Sequence, residues 1–118
     1  MESKTKSGDN GEIIAIRYLL KNGYRICATN YKIKGGEIDV ISELGGNTIF
    51  IEVKYRKNDS HGSPEEALTK TKKKNILRTI RYYMMKNGIR EENVRFHFIG
   101  ITEIDGTIKI NHLKDVEL

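Results

Sequence analysis

The sequence predicts an α/β domain in which two helices cover a mixed central sheet. Two long segments place apolar residues at helical spacing, and five shorter segments alternate apolar and polar residues as strands do. The second helical segment lies between the third and fourth strand segments, where a crossover helix can return the chain to the same sheet. The predicted order is therefore helix, three strands, helix and two strands, or αβββαββ.

The length and the charge of the chain fit one domain with an anionic partner. The chain has 118 residues, and we expect residues 1–118 to form a single domain with 1–7 as a frayed polar tail. Lys and Arg outnumber Asp and Glu by 21 to 16, so the net charge is +5. This excess favours nucleic acid as a partner ahead of an anionic membrane.

Cysteine content and hydropathy indicate the compartment. Cys27 is the only cysteine, which excludes an internal disulfide and a metal site made of several cysteines. The N-terminal residues lack the apolar core of a signal peptide, and no apolar run approaches the roughly 20 residues of a membrane-spanning helix. We therefore expect a soluble protein in the reducing cytoplasm, with no membrane segment.

The first helix is predicted over residues 9–22. Ile13, Ile16, Leu19 and Leu20 share one face at helical spacing and would cover the sheet. A glycine follows at the position where a left-handed residue ends many helices. We therefore expect an amphipathic helix ahead of the first strand.

Five strands are predicted from alternating patterns. Tight turns at Gly45-Gly46 and Asp105-Gly106 each join two strands directly. The first three strands can form an antiparallel meander, and the fourth and fifth follow the second helix. The predicted strand ranges are 24–33, 36–44, 47–56, 93–101 and 107–113.

The second helix is predicted as one continuous element over residues 64–87. Ser63 can cap its start, Pro64 suits the first helical position, and Glu66 completes a capping box. A glycine again stands where the helix should stop. The apolar stripe of this helix comprises Leu68, Ile76, Leu77, Ile80, Tyr83 and Met84.

The turn between the second and third strands sets their register. If the turn is centred between residues 45 and 46, the numbers of opposed residues add to 91, so Asp39 faces Glu52 and Glu37 faces Lys54. Directly opposed side chains share a face, with Cβ atoms roughly 5 Å apart. These four residues would form one polar patch. The opposite, buried face would hold Ile38, Val40, Ile51 and Val53.

The opposed acids Asp39 and Glu52 need a neutralising charge, because like charges across a strand pair are destabilising. Lys54, two residues along the strand, is a partial answer. A divalent cation is a better one, since converging carboxylates hold Mg²⁺ or Mn²⁺ together with waters and a substrate phosphate. The alternative is an amphipathic strand whose charges form a solvated salt-bridge face.

These residues carry a resemblance. The segment "GEIDVI", a turn and "IFIEVKYR" resemble the D…E-x-K signature of the PD-(D/E)XK nuclease superfamily, which has the restriction-endonuclease-like fold. The wider pattern of "GDNGEIIAIRYLLKNGYRI", "NYKIKGGEIDVI", "FIEVKYRK" and "HGSPEEALTKTK" is similar to the YraN-like family, uncharacterised protein family 0102. That family is related in pattern to archaeal Holliday-junction resolvases. The resemblance covers roughly residues 8–112 and implies a three-layer sandwich.

The resemblance implies site residues. Asp39 and Glu52 would be metal ligands for Mg²⁺ or Mn²⁺, and Lys54 the catalytic lysine. Glu12 matches a glutamate that joins the ligands in resolvase-like members, although an acid in the first turn of a helix also favours the helix dipole. Glu37 matches the acidic position of GEID and would support the metal or Lys54. One departure is that Ile38, rather than proline, precedes Asp39.

Basic side chains suggest a nucleic-acid surface. Those on the second helix could neutralise backbone phosphates, although each is equally well explained as part of a solvated face. Arg56 and the following loop, including His61, could clamp a DNA backbone, whereas His97 and His112 lie in strand patterns where packing is expected. The candidate helix contacts are Lys70, Lys72, Lys73 and Arg78, with Lys74, Arg81 and Lys86 nearby, and the family pattern singles out Lys72.

The expected function is metal-dependent hydrolysis of phosphodiester bonds in DNA, with branched or damaged DNA as the substrate. The resemblance to resolvases also implies a homodimer. Two alternatives stay open. One is a nucleic-acid-binding module that keeps the nuclease fold without cutting, and the other is a protein-interaction domain with a solvated acidic patch.

Overall fold

One mixed sheet organises the computed structural model, which describes residues 6–58 and 62–118. The five strands lie in chain order, with antiparallel neighbours except for the parallel central pair β3–β4. The predicted α/β class with a mixed sheet is therefore confirmed. The strands are β1 (Arg25–Ile33), β2 (Gly36–Leu44), β3 (Asn47–Arg56), β4 (Val94–Ile104) and β5 (Thr107–Leu113).

The two helices, α1 (Lys6–Lys21) and α2 (Lys70–Asn87), cover opposite faces of the sheet. Lys6 and Ser7, which were expected in a frayed tail, lie in α1, and residues 1–5 lie outside the described residues. No helix within the described ranges is both long and apolar enough to span a membrane. The α1 side of the core contains Ala15, Leu19, Val40, Ile51, Ile99 and Ile101, and the α2 side contains Ile41, Phe50, Ile76, Ile80 and Phe96.

The buried face of α1 differs from the predicted one. Ile13 and Leu20 are 49% and 55% exposed, whereas Gly11, Ala15 and Leu19 are buried against the sheet. Small side chains at Gly11 and Ala15, one turn apart, let the helix backbone approach the strands closely. Leu19 and Ile16 pack against the core as predicted, whereas Ile13 and Leu20 do not, because close packing places the small Gly11 and Ala15 against the sheet.

The second predicted helix is divided into two elements. A 3-10 turn over Pro64–Ala67 precedes α2, and Ser63 makes no side-chain cap hydrogen bond. Thr69 instead caps α2, because its hydroxyl oxygen accepts the Lys72 N–H at 3.1 Å. Pro64 is buried closely against Gly100 of β4, which holds the 3-10 turn on the sheet. The chain then restarts its helix at Thr69, so Lys72 lies in the first turn of α2.

The register of the β2–β3 hairpin is as predicted. The paired residues run from Val40 with Ile51 to Leu44 with Asn47, and each pair of numbers adds to 91. The ladder ends at Val40 and Ile51, although both strands continue beyond that pair. The two strands therefore part at the level of Asp39.

His97 and His112 form part of a hydrogen-bonded chain between α1 and the C-terminal residues. Tyr18 Oη is 2.8 Å from His112 Nδ1, and His112 Nε2 is 2.9 Å from His97 Nδ1. His97 Nε2 lies 3.7 Å from Asp115 Oδ1, so the carboxylate favours a proton on that nitrogen. Each donor then points toward Asp115, starting from the Tyr18 hydroxyl. These histidines are packed, as expected from their strand positions.

Candidate active site

Asp39 lies where the β2–β3 ladder ends. Its Oδ2 atom accepts a hydrogen bond from the Val53 backbone N–H at 2.9 Å. The carboxylate thus takes the place of a β2 backbone carbonyl, because the ladder between the two strands has already ended. A backbone N–H of β3 therefore orients the Asp39 carboxylate toward the strand that carries Glu52. This contact stabilises the ionised form of the carboxylate and restricts its rotation.

On β1, which pairs with the other edge of β2, the backbone is irregular opposite Asp39, and the residues on either side of Asp39 point to different faces of the sheet. In the β1–β2 register, the pairs Thr29–Val40 and Tyr31–Ile38 place Asn30 opposite Asp39. Asn30 has a left-handed φ of 52°. Ile38 joins Ile41 in the core beneath α2, whereas Val40 lies on the α1 side. The prediction that Ile38 shares a face with Val40 is therefore wrong, because strict alternation is interrupted at Asp39.

Glu52 is a buried carboxylate, 5% exposed, on the α2 face of β3. Two residues after the buried Phe50, it points to the same side of the sheet. Its Oε2 atom is 3.0 Å from Lys72 Nζ. Its Oε1 atom is buried and has no hydrogen-bond partner among the described residues. Glu52 thus has one satisfied oxygen and one that lacks a partner.

The site disfavours two negative charges. Burial first, and then the charge of Asp39, raise the pKa of Glu52 to about 7, against the opposing effect of Lys72. Burial is the largest single influence and acts to lower the pKa of Lys72, but the carboxylates of Glu52, Asp39 and Glu37 together outweigh it and raise that pKa above its ordinary value. Near neutral pH, Glu52 is therefore poised between its two protonation states, while Lys72 keeps its charge.

The sequence did not predict the ion pair of Lys72 with Glu52. Lys72 was expected to contact DNA, which stays a prediction, and in the structure its ammonium group contacts Glu52, a candidate metal ligand. The break of the helix at Thr69 gives Lys72 this position. The sequence contained a signal for this start, because threonine is a favoured N-cap residue and Thr69 precedes the basic run. The prediction instead placed the helix start at Ser63.

Contrary to the prediction, Lys54 and Glu37 do not face each other. Lys54 is exposed on β3, two residues after Glu52, and its register partner is Gly100 of β4. Glu37 pairs with Lys32 of β1, with 3.9 Å between Lys32 Nζ and Glu37 Oε1. Because β2 and β3 part before this level of the hairpin, Glu37 and Lys54 are not paired as predicted. Lys54 keeps the strand face of Glu52, as alternation requires.

Glu12 reaches the neighbourhood of the site through an asparagine. Its Oε1 atom accepts the Asn30 Nδ2 amide at 3.1 Å, and Asn30 lies opposite Asp39 in the β1–β2 register. Across residues 6–58 and 62–118, no three His, Cys, Asp or Glu side chains form a group that could hold a metal ion. The structure therefore brings Asp39 and Glu52 together, and Glu12 does not complete a three-ligand cluster with them. Asn30 was missed by the sequence reasoning.

The basic candidates have different environments. Arg78 Nη1 donates to the Gly35 carbonyl oxygen at 3.0 Å, so it anchors the β1–β2 turn to α2. Lys70 and Lys73 lie in the first turns of α2 near Lys72, and Arg56 ends β3 with its Nε buried. His61 lies outside the described residues. The DNA contacts assigned to these side chains stay predictions.

Comparisons with known proteins give the family. The model described as "Uncharacterised protein family UPF0102" matches residues 11–101, which include Glu12, Asp39, Glu52, Lys54 and Lys72. A UPF0102 protein of Carboxydothermus hydrogenoformans is 36% identical over 114 residues, 97% of each chain. One of Clostridioides difficile is 39% identical over 113 residues, 96% of each chain. One of Alkaliphilus oremlandii is 39% identical over 112 residues, 93% of this chain and 96% of the relative.

Proposed function

We propose that this chain, which belongs to the uncharacterised protein family UPF0102, is a divalent-metal-dependent endonuclease that hydrolyses phosphodiester bonds in DNA. One observation carries the proposal. The buried carboxylate of Glu52 has an oxygen without a partner, next to the oriented carboxylate of Asp39. A protein built only for stability would replace such a pair with apolar residues or satisfy it fully.

The residues fit a hard divalent cation. Mg²⁺ prefers oxygen ligands and is commonly held by one or two carboxylates, with waters and substrate phosphates completing its shell. The unpartnered Oε1 of Glu52 and the carboxylate of Asp39 supply such a donor set. Asp39 and Glu52 would therefore hold Mg²⁺ or Mn²⁺. The bound cation would polarise a phosphoryl oxygen and lower the pKa of a water molecule.

The chain's own side chains would do the remaining work. The Val53 N–H would hold the Asp39 carboxylate in position beside Glu52. Lys54, exposed on the strand face of Glu52, would stabilise the negative charge that develops on the phosphoryl group. Lys72 would exchange its contact with Glu52 for a phosphate oxygen of the substrate, because its side chain is 43% exposed and can turn toward solvent.

The first turns of α2 offer a surface for the DNA backbone. Lys70, Lys72 and Lys73 lie within one turn, with no acidic residue in the first turn of the helix. Their charges would provide sequence-independent, salt-sensitive attraction to phosphates. The PD-(D/E)XK relation, the restriction-endonuclease-like sandwich, the homodimer and the cytoplasmic location belong to the same proposal.

A non-catalytic nucleic-acid-binding module is the second candidate. The observation that favours it is the missing third ligand, since the described residues contain no group of three candidate metal ligands. The ion pair of Lys72 with Glu52 already neutralises part of the acidic pair. Such a module would bind DNA through the same basic surface and leave it intact.

A cleavage assay separates the two candidates. Purified protein is incubated with branched, flapped and linear DNA in the presence of Mg²⁺, Mn²⁺ or EDTA. We expect cutting with either metal, none in EDTA, and at least an approximately 100-fold loss of rate in Lys54→Ala, since it removes a charge-stabilising donor. Asp39→Asn should lose activity as well, whereas Asp105→Asn, in a remote exposed turn, is the matched control.

Three outcomes would overturn the proposed metal-dependent nuclease. Cutting that persists in EDTA, or that is retained by Asp39→Asn, would remove the metal and its ligand from the mechanism. Binding of the same DNAs without cutting in any metal would establish the binding module instead.

A further inference from the structure

A cleft of about 450 Å³ opens beside the acidic pair, between the β1–β2 turn and the start of α2. It is within the range of small-ligand pockets, roughly 300–1,000 Å³. The catalytic roles proposed above do not use it. The side chains that define it are Lys32, Ile33, Glu37, Lys72, Asn75 and Ile76.

Lys72 connects the cleft to the candidate active site. Its side chain lines the cleft, and its ammonium nitrogen is 3.0 Å from Glu52 Oε2. A molecule in the cleft is therefore one side chain away from the buried carboxylate. If Lys72 contacts a substrate phosphate, the nucleoside attached to that phosphate can reach the cleft.

The walls of the cleft combine apolar and polar groups. Ile33, which is half-buried, provides apolar surface, and the buried Ile76 lies at the base of this wall. Glu37 provides an acceptor, Asn75 provides both a donor and an acceptor, and Lys32 places a cation at the rim. A nucleobase needs this combination, since its faces are stacked on apolar or aromatic side chains while its edge forms hydrogen bonds.

The cleft is held in shape by close contacts with α2. A Cβ atom added at Gly36 would lie 2.2 Å from Thr79 Oγ1 and 2.8 Å from the Asn75 carbonyl oxygen, so the strand touches the helix directly. Arg78 donates to the Gly35 carbonyl oxygen at 3.0 Å and fastens the turn. The wall formed by residues 35 and 36 is therefore preformed, which reduces the ordering cost of binding.

Two other clefts formed by described residues lack this setting. One of about 360 Å³ is lined largely by apolar side chains, including Leu77, Met84 and Leu118, away from the acidic pair. A third, near Pro64 and Asn111, has only about 160 Å³. Of these three clefts, only the one of about 450 Å³ beside the acidic pair shares a side chain, Lys72, with the candidate site.

We propose that this cleft receives the base of one unpaired nucleotide of DNA, next to the phosphate that Lys72 contacts. The inference rests on the proposed function, and it names the substrate class as DNA with an unpaired nucleotide at a mismatch, a bulge or a branch point. Taking a base out of a continuous stack costs free energy, and the cost is smallest for a base that is already unpaired. A preformed base pocket therefore selects such DNA over an intact duplex.

The test measures binding without cutting. Fluorescein-labelled duplexes, one fully paired and one with a single unpaired thymidine, are titrated with the full chain in EDTA and followed by fluorescence anisotropy. We expect the unpaired thymidine to improve the affinity of the wild type by about tenfold, the ratio that a saving of roughly 1.4 kcal/mol gives. Ile33→Trp, which fills the cleft, and Asn75→Ala should each reduce that preference severalfold.

The matched control is Ile108→Trp, which adds the same bulk on β5 at an exposed position outside the cleft. It should keep the wild-type preference. Equal affinity of the wild type for both duplexes, or an unchanged preference in a folded Ile33→Trp protein, would overturn the inference.

A second measurement does not depend on any variant. Thymidine 5′-monophosphate is added to ¹⁵N-labelled wild-type protein, and amide chemical shifts are followed. We expect the largest shifts at Gly35, Gly36 and the Asn75 side chain, with Gly88 and Gly106 unaffected. Shifts confined to residues outside the cleft would contradict the inference.

The outcomes also separate this inference from the proposed function. Discrimination in EDTA by a protein that never cuts keeps the base cleft and removes the nuclease. Metal-dependent cutting with equal affinity for both duplexes keeps the nuclease and removes the base cleft.

Discussion

Lys72 of α2 and Glu52 of β3 form an ion pair with 3.0 Å between Nζ and Oε2, and their side chains are 43% and 6% exposed. A buried carboxylate is thus neutralised by an ammonium group that solvent can reach. Because Lys72 is exposed, water can solvate its ammonium group when it turns away, whereas the buried carboxylate of Glu52 left behind would favour its protonated form. The pair links the interior of the site to its surface.

Removing Lys72 should raise the pKa of Glu52 further. In Lys72→Met the opposing positive charge is lost, while burial and the charge of Asp39 still disfavour ionisation. We expect an increase of about one unit above the wild-type value. A ¹³C NMR titration of the glutamate carboxyl groups measures it, with Lys73→Met as the neighbouring control. An unchanged titration of Glu52 would show that the two side chains do not interact in solution.

Glu52→Gln should stabilise the fold at alkaline pH. The pKa of Glu52 is about 7 in the folded protein against 4.5 ordinarily, so between these values the folded state binds more protons than the unfolded state. Stability is therefore lost as the pH rises through this window. We expect the variant to be more stable than the wild type by about 1–3 kcal/mol near pH 8, with a smaller difference near pH 5.

Urea unfolding at the two pH values measures this difference. Glu91→Gln, an exposed glutamate in the turn before β4, is the control and should change little at either pH. A destabilised Glu52→Gln protein at alkaline pH would mean that the carboxylate is better satisfied than its burial indicates.

His112 should stabilise the fold at neutral pH and lose that effect in acid. Burial first, and then the nearby His97, lower the pKa of His112 to about 4, below its ordinary 6.5. The unfolded state then binds more protons, so stability is lost as the pH falls from about 6.5 toward 4. His112→Phe leaves the Tyr18 hydroxyl and His97 Nδ1 without partners, which should cost about 1–3 kcal/mol near pH 7.

The same variant should differ less from the wild type near pH 4, because protonation has already disrupted the chain there. Chemical denaturation across this range measures the trend. Tyr18→Phe, which removes a single donor, should have the smaller effect at every pH. A destabilisation that stays constant from neutral to acidic pH would contradict the hydrogen-bonded chain of neutral imidazoles.

Gly36→Ala should destabilise the contact between β2 and α2. The new methyl group would overlap Thr79 Oγ1, and overpacking of this kind costs about 1–3 kcal/mol. Adding Thr79→Ala should recover part of the loss, and a double-mutant cycle of urea unfolding measures the coupling. Gly45→Ala, where a Cβ meets no atom but φ is 59°, is the control for backbone strain alone. Strictly additive effects would exclude the contact.

The strands and their register could be predicted well, because both depend on local information. Alternation marks each strand, and Gly45-Gly46 sets which residues of β2 and β3 oppose each other. The ranges 36–44, 47–56 and 107–113 match the observed strands. The proximity of Asp39 to Glu52 follows from this register. The acidic pair of the candidate site could therefore be predicted from the sequence, but its ion pair with Lys72 could not.

The helices were less predictable because their details depend on what they pack against. Large apolar residues predicted the buried face of α1 only in part, since Leu19 is buried but Ile13 and Leu20 are exposed, and Gly11 and Ala15 lie against the sheet. The signals at Ser63 and Pro64 suggested one continuous helix, but the contact of Pro64 with Gly100 breaks it before Thr69. Gly100 lies 36 residues after Pro64, so local sequence does not reveal this contact.

The sequence by itself determined the mixed α/β class, the order of helices and strands along the chain, and the hairpin register that brings two acids close together. Only the tertiary structure decided that β2 and β3 part at Asp39, that Glu52 is buried with an unpartnered oxygen, and that Lys72 neutralises it. The physical reason is the range of the forces. Backbone pairing and turn chemistry act between neighbours along the chain, whereas burial and charge at Glu52 depend on a helix that begins 18 residues after it.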